Sequence, residues 1–327
     1  MTVYRLDRRR ISLLKQRSQV LWSIRSFFRA DGFTEVQPPT LVQSPGMEPH
    51  LDAFKVTSDQ ACHFLHTSPE YALKKLLGAG MKKIYALGPC FRDEPSSSTH
   101  SPEFTMLEWY IVGANLFELM DHTETLVRST WEDLGCPSIS APTGPLNLAD
   151  NFERLEVRVA FERYAKLDPW AHKSAESLAL AAREQGHRVS ALKGDWDAIF
   201  FEIFLNVVEP NLGREHPTFL WGWPASQAAL SRLDPADMSR ALRFELYAGG
   251  QELANAFDEL TDAKEQRRRF EEEQALRKRQ GRAVYPIDEA LLTAIESMQQ
   301  TAGIALGVDR LVMLLLGVED IREVQAW

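Results

Sequence analysis

The chain has 327 residues, 44% of them apolar and 25% charged, enough for one large core or two ordinary domains of a globular protein. Its net charge of −9 argues against nucleic acid as the main partner, because phosphate backbones are bound through Lys and Arg, and suits a basic protein partner better. The longest uninterrupted apolar stretch near the C-terminus, Leu311 to Leu316, is too short to span a bilayer.

Three cysteines, Cys62, Cys90 and Cys136, stand far apart with no C-x-x-C spacing. Neither a zinc site nor a disulfide framework is signalled, and a reducing cytoplasm is the expected setting. The chain opens on Arg5, Arg8, Arg9 and Arg10 without the apolar run of a signal peptide, so this segment is read as the approach to a helix.

Leu14, Leu21, Ile24 and Phe28 recur at helical spacing and predict an amphipathic helix over about 11–30, stopped by Asp31-Gly32. An extended piece, Phe33 to Pro39, follows. His63 to His66 reads as a strand, and Ser68-Pro69-Glu70 as a helix start with Ser68 at the N-cap and Pro69 in the first helical position. Residues 84–93 and 103–110 read as an antiparallel hairpin whose uncharged loop, Pro95 to Thr99, is long enough to predict a mobile tip.

The stretch 115–200 is expected to be mostly helical and carries no motif. A second hairpin is predicted from Phe244-Glu245-Leu246-Tyr247 and Glu252-Leu253-Ala254-Asn255, turning at Ala248-Gly249-Gly250. Asp262 to Arg282 reads as a helix whose mixed charges mark a solvated face. Gly303 to Arg310 reads as a glycine-bearing strand entering a helix. Helices around antiparallel strands, without an alternating β-α rhythm, predict an α+β fold.

Period-two alternation puts Phe104, Met106, Glu108 and Tyr110 on one strand face and Thr105, Leu107 and Trp109 on the other. An aromatic ring, a carboxylate and a phenol on one face suit an aromatic base and a cation; a half-buried cross-strand ladder is the plainer reading. Arg92, at the end of the partner strand, can clamp a carboxylate or phosphate bidentately, or form a surface salt bridge. Glu252 and Glu259 are hard oxygen donors suited to Mg²⁺ beside a nucleotide. A spacing of seven puts them on opposite faces of a regular strand, so they act together only if the strand bulges or ends between them. Gly307 and Arg310 offer a close-approach backbone and a cation at a helix start, which favours an anion. His50, His63, His66, His122, His172, His187 and His216 show no metal-ligand spacing.

In order and content these segments resemble the three motifs of class II aminoacyl-tRNA synthetases. Motif 1 is matched over about 20–40, motif 2 over about 88–110 and motif 3 over about 303–316. Within the class, His100-Ser101-Pro102-Glu103-Phe104 through Tyr110 is close to the lysyl-tRNA synthetase version, as is Glu252-Leu253-Ala254-Asn255 with Glu259-Leu260-Thr261-Asp262. The resemblance spans nearly the whole chain and implies one catalytic domain over 1–327. Motif 1 begins near residue 20, which leaves no room for the N-terminal OB-fold of lysyl-tRNA synthetases. The pattern is similar to the free-standing paralogue family, the elongation factor P–lysine ligases. Ala305 stands at the middle glycine of the synthetase Gly-x-Gly-x-Gly, and Ser68 where synthetases typically have alanine. Ser101 replaces a family asparagine, the motif 2 loop has no charge, and Ala256 stands where glycine is common.

The resemblance implies adenylation of lysine or (R)-β-lysine with ATP and Mg²⁺, then transfer to a lysine of elongation factor P by a two-fold homodimer. It places adenine on Phe104, with Glu94, His100, Ser101 and Leu253 around the nucleotide. Arg92 bridges the α-phosphate and the substrate carboxylate, Gly307 and Arg310 meet the γ-phosphate, and Glu252 and Glu259 hold the metal. Ser68 and Glu70 meet the backbone-side ammonium and Glu108 and Tyr110 the terminal one, with Asn255, Glu259 and Ala305 completing the pocket. Two alternatives are a truncated lysyl-tRNA synthetase acting on tRNA or another acceptor, and a non-catalytic synthetase-like binding subunit. Ala305, the acidic balance and the uncharged loop argue against the first. Joint retention of Arg92, Glu94, Glu252, Glu259 and Arg310 argues against the second.

Overall fold

A computed structural model describes residues 7–48, 51–57, 62–190 and 195–326; Arg5 and His50 lie outside the described residues. Where one domain is expected, the chain divides into two compact units, 1–137 with 256–327, and 138–255 between them.

The first unit opens with α1 (Arg8–Ala30), capped by the Asp7 carboxylate accepting the Arg10 N–H at 2.8 Å and ended at Gly32, whose φ of +75° favours glycine. There follow β1 (Thr34–Glu35), β2 (Leu41–Val42), β3 (Lys55–Thr57), β4 (Cys62–Leu65), α2 (Glu70–Gly78), β5 (Lys83–Phe91), β6 (Glu103–Val112) and α3 (Leu116–Asp133). The expected hairpin is β5 and β6, antiparallel with Phe91 opposite Glu103, and β1 adds to β5 in parallel. Its core forms on the face read for Trp109. Phe28 of α1 stacks on Tyr85 at 4.5 Å and meets Trp109 edge-on at 5.4 Å.

The second unit carries β7 (Ile139–Ala141), β8 (Gly144–Leu146), β9 (Glu153–Glu156), α4 (Val157–Ala160), α5 (Ala175–Glu184), α6 (Trp196–Ile203), β10 (Thr218–Pro224), β11 (Leu233–Asp234), β12 (Asp237–Ala248) and β13 (Gln251–Asp258), the last running into the first unit's sequence. The expectation of a mostly helical 115–200 fails over 138–156: Pro137, Pro142 and Pro145 interrupt helix propagation there, and short strands form instead. This unit has its own core, centred on Phe161, Phe200, Phe204 and Trp223, which accounts for its separateness. Its strands run β13-β12-β10-β9, with β9 and β10 parallel.

The first unit resumes with α7 (Ala263–Arg279), α8 (Glu289–Ser297), β14 (Thr301–Gly307), α9 (Val308–Leu316) and α10 (Ile321–Val324). β14 pairs antiparallel with β6, placing Gly303 opposite Tyr110 and Ala305 opposite Glu108. The charged α7 is not solvated all round. Arg277 is fully buried, and its guanidinium bonds the Glu48 and Leu51 carbonyls at 2.9 and 2.7 Å and the Asp52 carboxylate at 2.6 Å. Among the described residues no helix is long and apolar enough to cross a membrane.

Candidate active site

On the face of β6 away from the aromatic core, the first unit buries a set of acids. Glu108 is 2% exposed. One of its oxygens accepts the Ser68 hydroxyl at 2.6 Å and the other the Tyr110 hydroxyl at 2.7 Å. Ser68 also accepts the Glu70 N–H at 3.0 Å, so it caps α2 although Pro69 is the residue at the geometric N-cap. One helical turn on lies Lys74, a residue the sequence reading passed over. Its Nζ is 2.5 Å from Glu70 and 2.6 Å from Glu259, with the lysine only 1% exposed. Gly303 is obligatory here, because a Cβ would come within 2.3 Å of the Tyr110 ring and 2.5 Å of the Glu259 carboxylate.

Burial raises the Glu108 carboxyl, and the Glu70 charge raises it further against the weaker pull of Ser68, Tyr110 and Lys74. Burial likewise raises Glu259, opposed by Lys74. Lys74 would be lowered by burial, but the Glu259 and Glu70 charges outweigh that and hold it raised. Glu48, raised by burial and then by Glu70, adds a further acid that the sequence reading missed. Carboxylates outnumber cations here, so the pocket is electrostatically prepared for positive charge.

At the strand end Arg92 lies over the Phe104 ring, 5.0 Å from its centroid, and its buried Nε has no hydrogen-bond partner. A buried donor left open suits an incoming anion. Glu94 is half-buried just beyond, its N–H bonded to the Arg92 carbonyl at 2.9 Å. The motif 2 loop, expected to have a mobile tip, is anchored: the Ile321 N–H donates to the Ser98 carbonyl at 2.7 Å and Arg310 Nε to the Thr99 carbonyl at 3.3 Å. Arg310 Nη2 also lies 2.9 Å from His100 Nε2. Gly307 is the N-cap of α9, putting Arg310 in its first turn. Next to Arg310, buried Asp309 accepts the Thr105 N–H at 2.8 Å and pairs with Arg17 of α1, tying motif 3 to motif 2 and to α1. Ser101 is half-buried in the loop that returns to β6.

The second unit holds Glu252, Leu253 and Asn255. Leu253 and Ala254 are both buried between half-exposed Glu252 and Asn255. Arg243 donates to Glu245 at 2.5 Å, to Asn255 at 3.3 Å and to the Gln227 carbonyl at 3.0 Å, while the Tyr247 hydroxyl donates to Glu245 at 2.6 Å. Burial raises Glu245, and the Glu252 charge adds to it. Glu245, read only as a strand residue from sequence, is therefore the acid on which the Glu252 charge acts. The expected partner, Glu259, belongs to the first unit and is held by Lys74. No group of three or more His, Cys, Asp or Glu side chains is arranged to hold a metal among the described residues.

The family described as tRNA synthetases class II (D, K and N) matches residues 3–327. The chain is similar to elongation factor P–(R)-β-lysine ligases of three bacteria. It is 39% identical to that of Photorhabdus laumondii, and 38% to those of Yersinia enterocolitica and Proteus mirabilis. Each match covers 97% of this chain and 95% of the relative.

Proposed function

The chain belongs to the class II tRNA synthetase family (D, K and N), and from that premise we propose that it is an ATP-dependent lysine ligase acting on elongation factor P. The observation that carries the substrate class is the acid pocket around Glu108. Desolvated carboxylates held by Ser68, Tyr110 and Lys74 favour a diamino acid, since a neutral side chain would leave them buried without new partners.

In this reading a substrate carboxylate oxygen forms a bond to the α-phosphorus of ATP while the bond to pyrophosphate breaks. Arg92, with its open buried Nε, meets the anionic side of this exchange, and Arg310 the departing phosphates. Phe104 offers the adenine a face, and Glu94, His100 and Ser101 are assigned around the nucleotide. Alignment and fixed charge do the work, so this half-reaction needs no general base.

Mg²⁺, when bound, neutralises phosphate charge. Glu252, with Glu245 behind it, is the carboxylate assigned to it, because Mg²⁺ typically takes one or two carboxylates and fills its shell with phosphate and water. Of its two expected roles, metal and substrate, Glu259 is given the substrate alone, since Lys74 already engages it. The acceptor lysine nitrogen then attacks the acyl carbonyl, loses a proton and releases AMP.

Ala305 stands opposite Glu108, and Ser68 bonds it, so the two residues that differ from the synthetase pattern bear on one carboxylate. The Ala305 methyl against the substrate backbone, with the Ser68 hydroxyl opposite, favours (R)-β-lysine over α-lysine, a steric change worth about 1–3 kcal/mol. The acidic balance and uncharged loop favour a protein acceptor over tRNA. A homodimer through α1 is supported by Trp22, which is 73% exposed on that helix.

The test is ATP–pyrophosphate exchange with (R)-β-lysine, α-lysine and no amino acid, followed by the mass of elongation factor P after incubation. Exchange led by (R)-β-lysine and a lysine-sized gain on the acceptor are expected. Preference for α-lysine with charging of tRNA would replace this reading by the tRNA-type ligase, and absence of any exchange would end it.

A further inference from the structure

Resting on the lysine-ligase reading, we propose that Lys74 is a specificity-determining positioning residue that fixes the distance between the two ammonium subsites and so sets the length of the diamino acid accepted.

In the lysine-ligase reading Ser68 and Glu70 serve the backbone-side ammonium and Glu108 and Tyr110 the terminal one. Tyr110 bonds Glu108 at 2.7 Å and packs with Glu259 against the missing side chain of Gly303, which puts Glu259 on the terminal side. Lys74 holds one acid from each side, Glu70 at 2.5 Å and Glu259 at 2.6 Å. The two acids come from unrelated places, the first turn of α2 and the residue after β13. Their spacing therefore depends on a shared partner rather than on one element's backbone.

An ordinary internal salt bridge is the competing explanation, and energetics weigh against it. A fully buried ion pair is rarely more stabilising than apolar side chains of equal volume, because desolvation offsets the attraction. Lys74 is 1% exposed, Glu259 1% and Glu70 8%. A methionine would fill the same space on α2 without three desolvated charges. The lysine is better explained by what it does to the acids: it pins their oxygens while leaving Tyr110 and Ser68 to orient Glu108. A substrate ammonium then enters beside carboxylates that cannot rotate away or close the gap.

The experiment measures lysine and ornithine, which is one methylene shorter, in ATP–pyrophosphate exchange by the wild type, Lys74→Met and Lys74→Arg. The wild type is expected to prefer lysine by about 10- to 200-fold, the usual worth of one methylene. Lys74→Met should raise the KM for lysine by about 10-fold or more, change kcat less, and bring the lysine-to-ornithine ratio towards one. Lys74→Arg should restore lysine binding in part but with an altered ratio, because a planar guanidinium cannot hold the same spacing. A reduced melting temperature with an unchanged ratio in both variants would overturn the proposal. Should Lys74→Met fail to fold, the ratio in Lys74→Arg decides. Thermal shifts with lysine and ornithine, read without ATP, separate the two claims: a lysine-selective shift without exchange sinks the ligase reading and leaves the spacing role standing. Equal shifts by both amino acids in the wild type sink the spacing role.

Discussion

The two units each bury a glutamate by the same local device and complete it with different partners. In the first, Glu108 is bonded by the hydroxyl of Tyr110, two residues along β6; in the second, Glu245 is bonded by the hydroxyl of Tyr247, two residues along β12. The other oxygen decides the difference. Glu108 receives it from neutral Ser68 at 2.6 Å, Glu245 from the Arg243 guanidinium at 2.5 Å. Glu245 has a buried cation as its partner within the fold. Glu108 has only hydroxyls as hydrogen-bond partners and is held protonated by burial, so on the lysine-ligase reading the incoming ammonium is the cation that ionises it. A buried Glu-x-Tyr on a strand thus carries no fixed role, and the third partner assigns it.

Removing that third partner in the second unit should have the largest effect. Arg243→Met leaves Glu245 buried without its cation and is expected to cost about 3–5 kcal/mol, read as a lowered melting temperature. Recovery in the double variant with Glu245→Gln would confirm the cause, and a near-neutral single variant would break the contrast between the units.

Glu108→Gln should show the opposite profile. Its exchange activity is expected to fall on the order of 1000-fold, the cost of leaving a substrate ammonium unpaired, with the protein still folded. A modest activity loss with a large stability loss would make Glu108 structural, like Glu245.

The pH dependence sharpens this further. Burial and the Glu70 charge push the Glu108 carboxyl from the ordinary value of 4.5 up to about 8. Between those values the native state holds a proton that the unfolded chain has released, so this group's contribution to stability is complete below about pH 4.5 and is lost as pH rises through about 8. The melting-temperature difference between Glu108→Gln and wild type should therefore move in the variant's favour from pH 5 to pH 8.5. A difference independent of pH would show that Glu108 is not the titrating group.

The smallest expected effects separate the tyrosines. Tyr247→Phe should cost about 1–2 kcal/mol of stability with little change in the KM for lysine. Tyr110→Phe should alter that KM several-fold at a similar or smaller stability cost. Identical profiles for the two would erase the distinction.

Much of the site was legible in the residues. The alternation over Phe104–Tyr110 assigned the faces of β6, and the Ser68-Pro69-Glu70 helix start is there with its capping bond. Lys74 had a local signal that went unused, since it stands four residues after Glu70 on a helix already expected, a spacing that brings opposite charges together. Its second contact, to Glu259, had none. Glu259 is expected at both the metal and the substrate, because spacing along one strand says nothing of a lysine far earlier in the chain. Glu245 was read as an ordinary strand residue because nothing local marks it as buried beside Arg243.

The sequence by itself determined what depends on neighbours along the chain: the helices and strands, the inward and outward sides of β6, the Gly249–Gly250 turn whose φ angles of +62° and +76° suit glycine, and the motif order that identifies the family. Tertiary structure alone decided which charges neutralise one another, and with them the separate core of 138–255, the Lys74 bridge and the placing of Glu245 beside Glu252. Backbone preferences act over a few residues, whereas the fate of a buried carboxylate depends on the nearest cation in space.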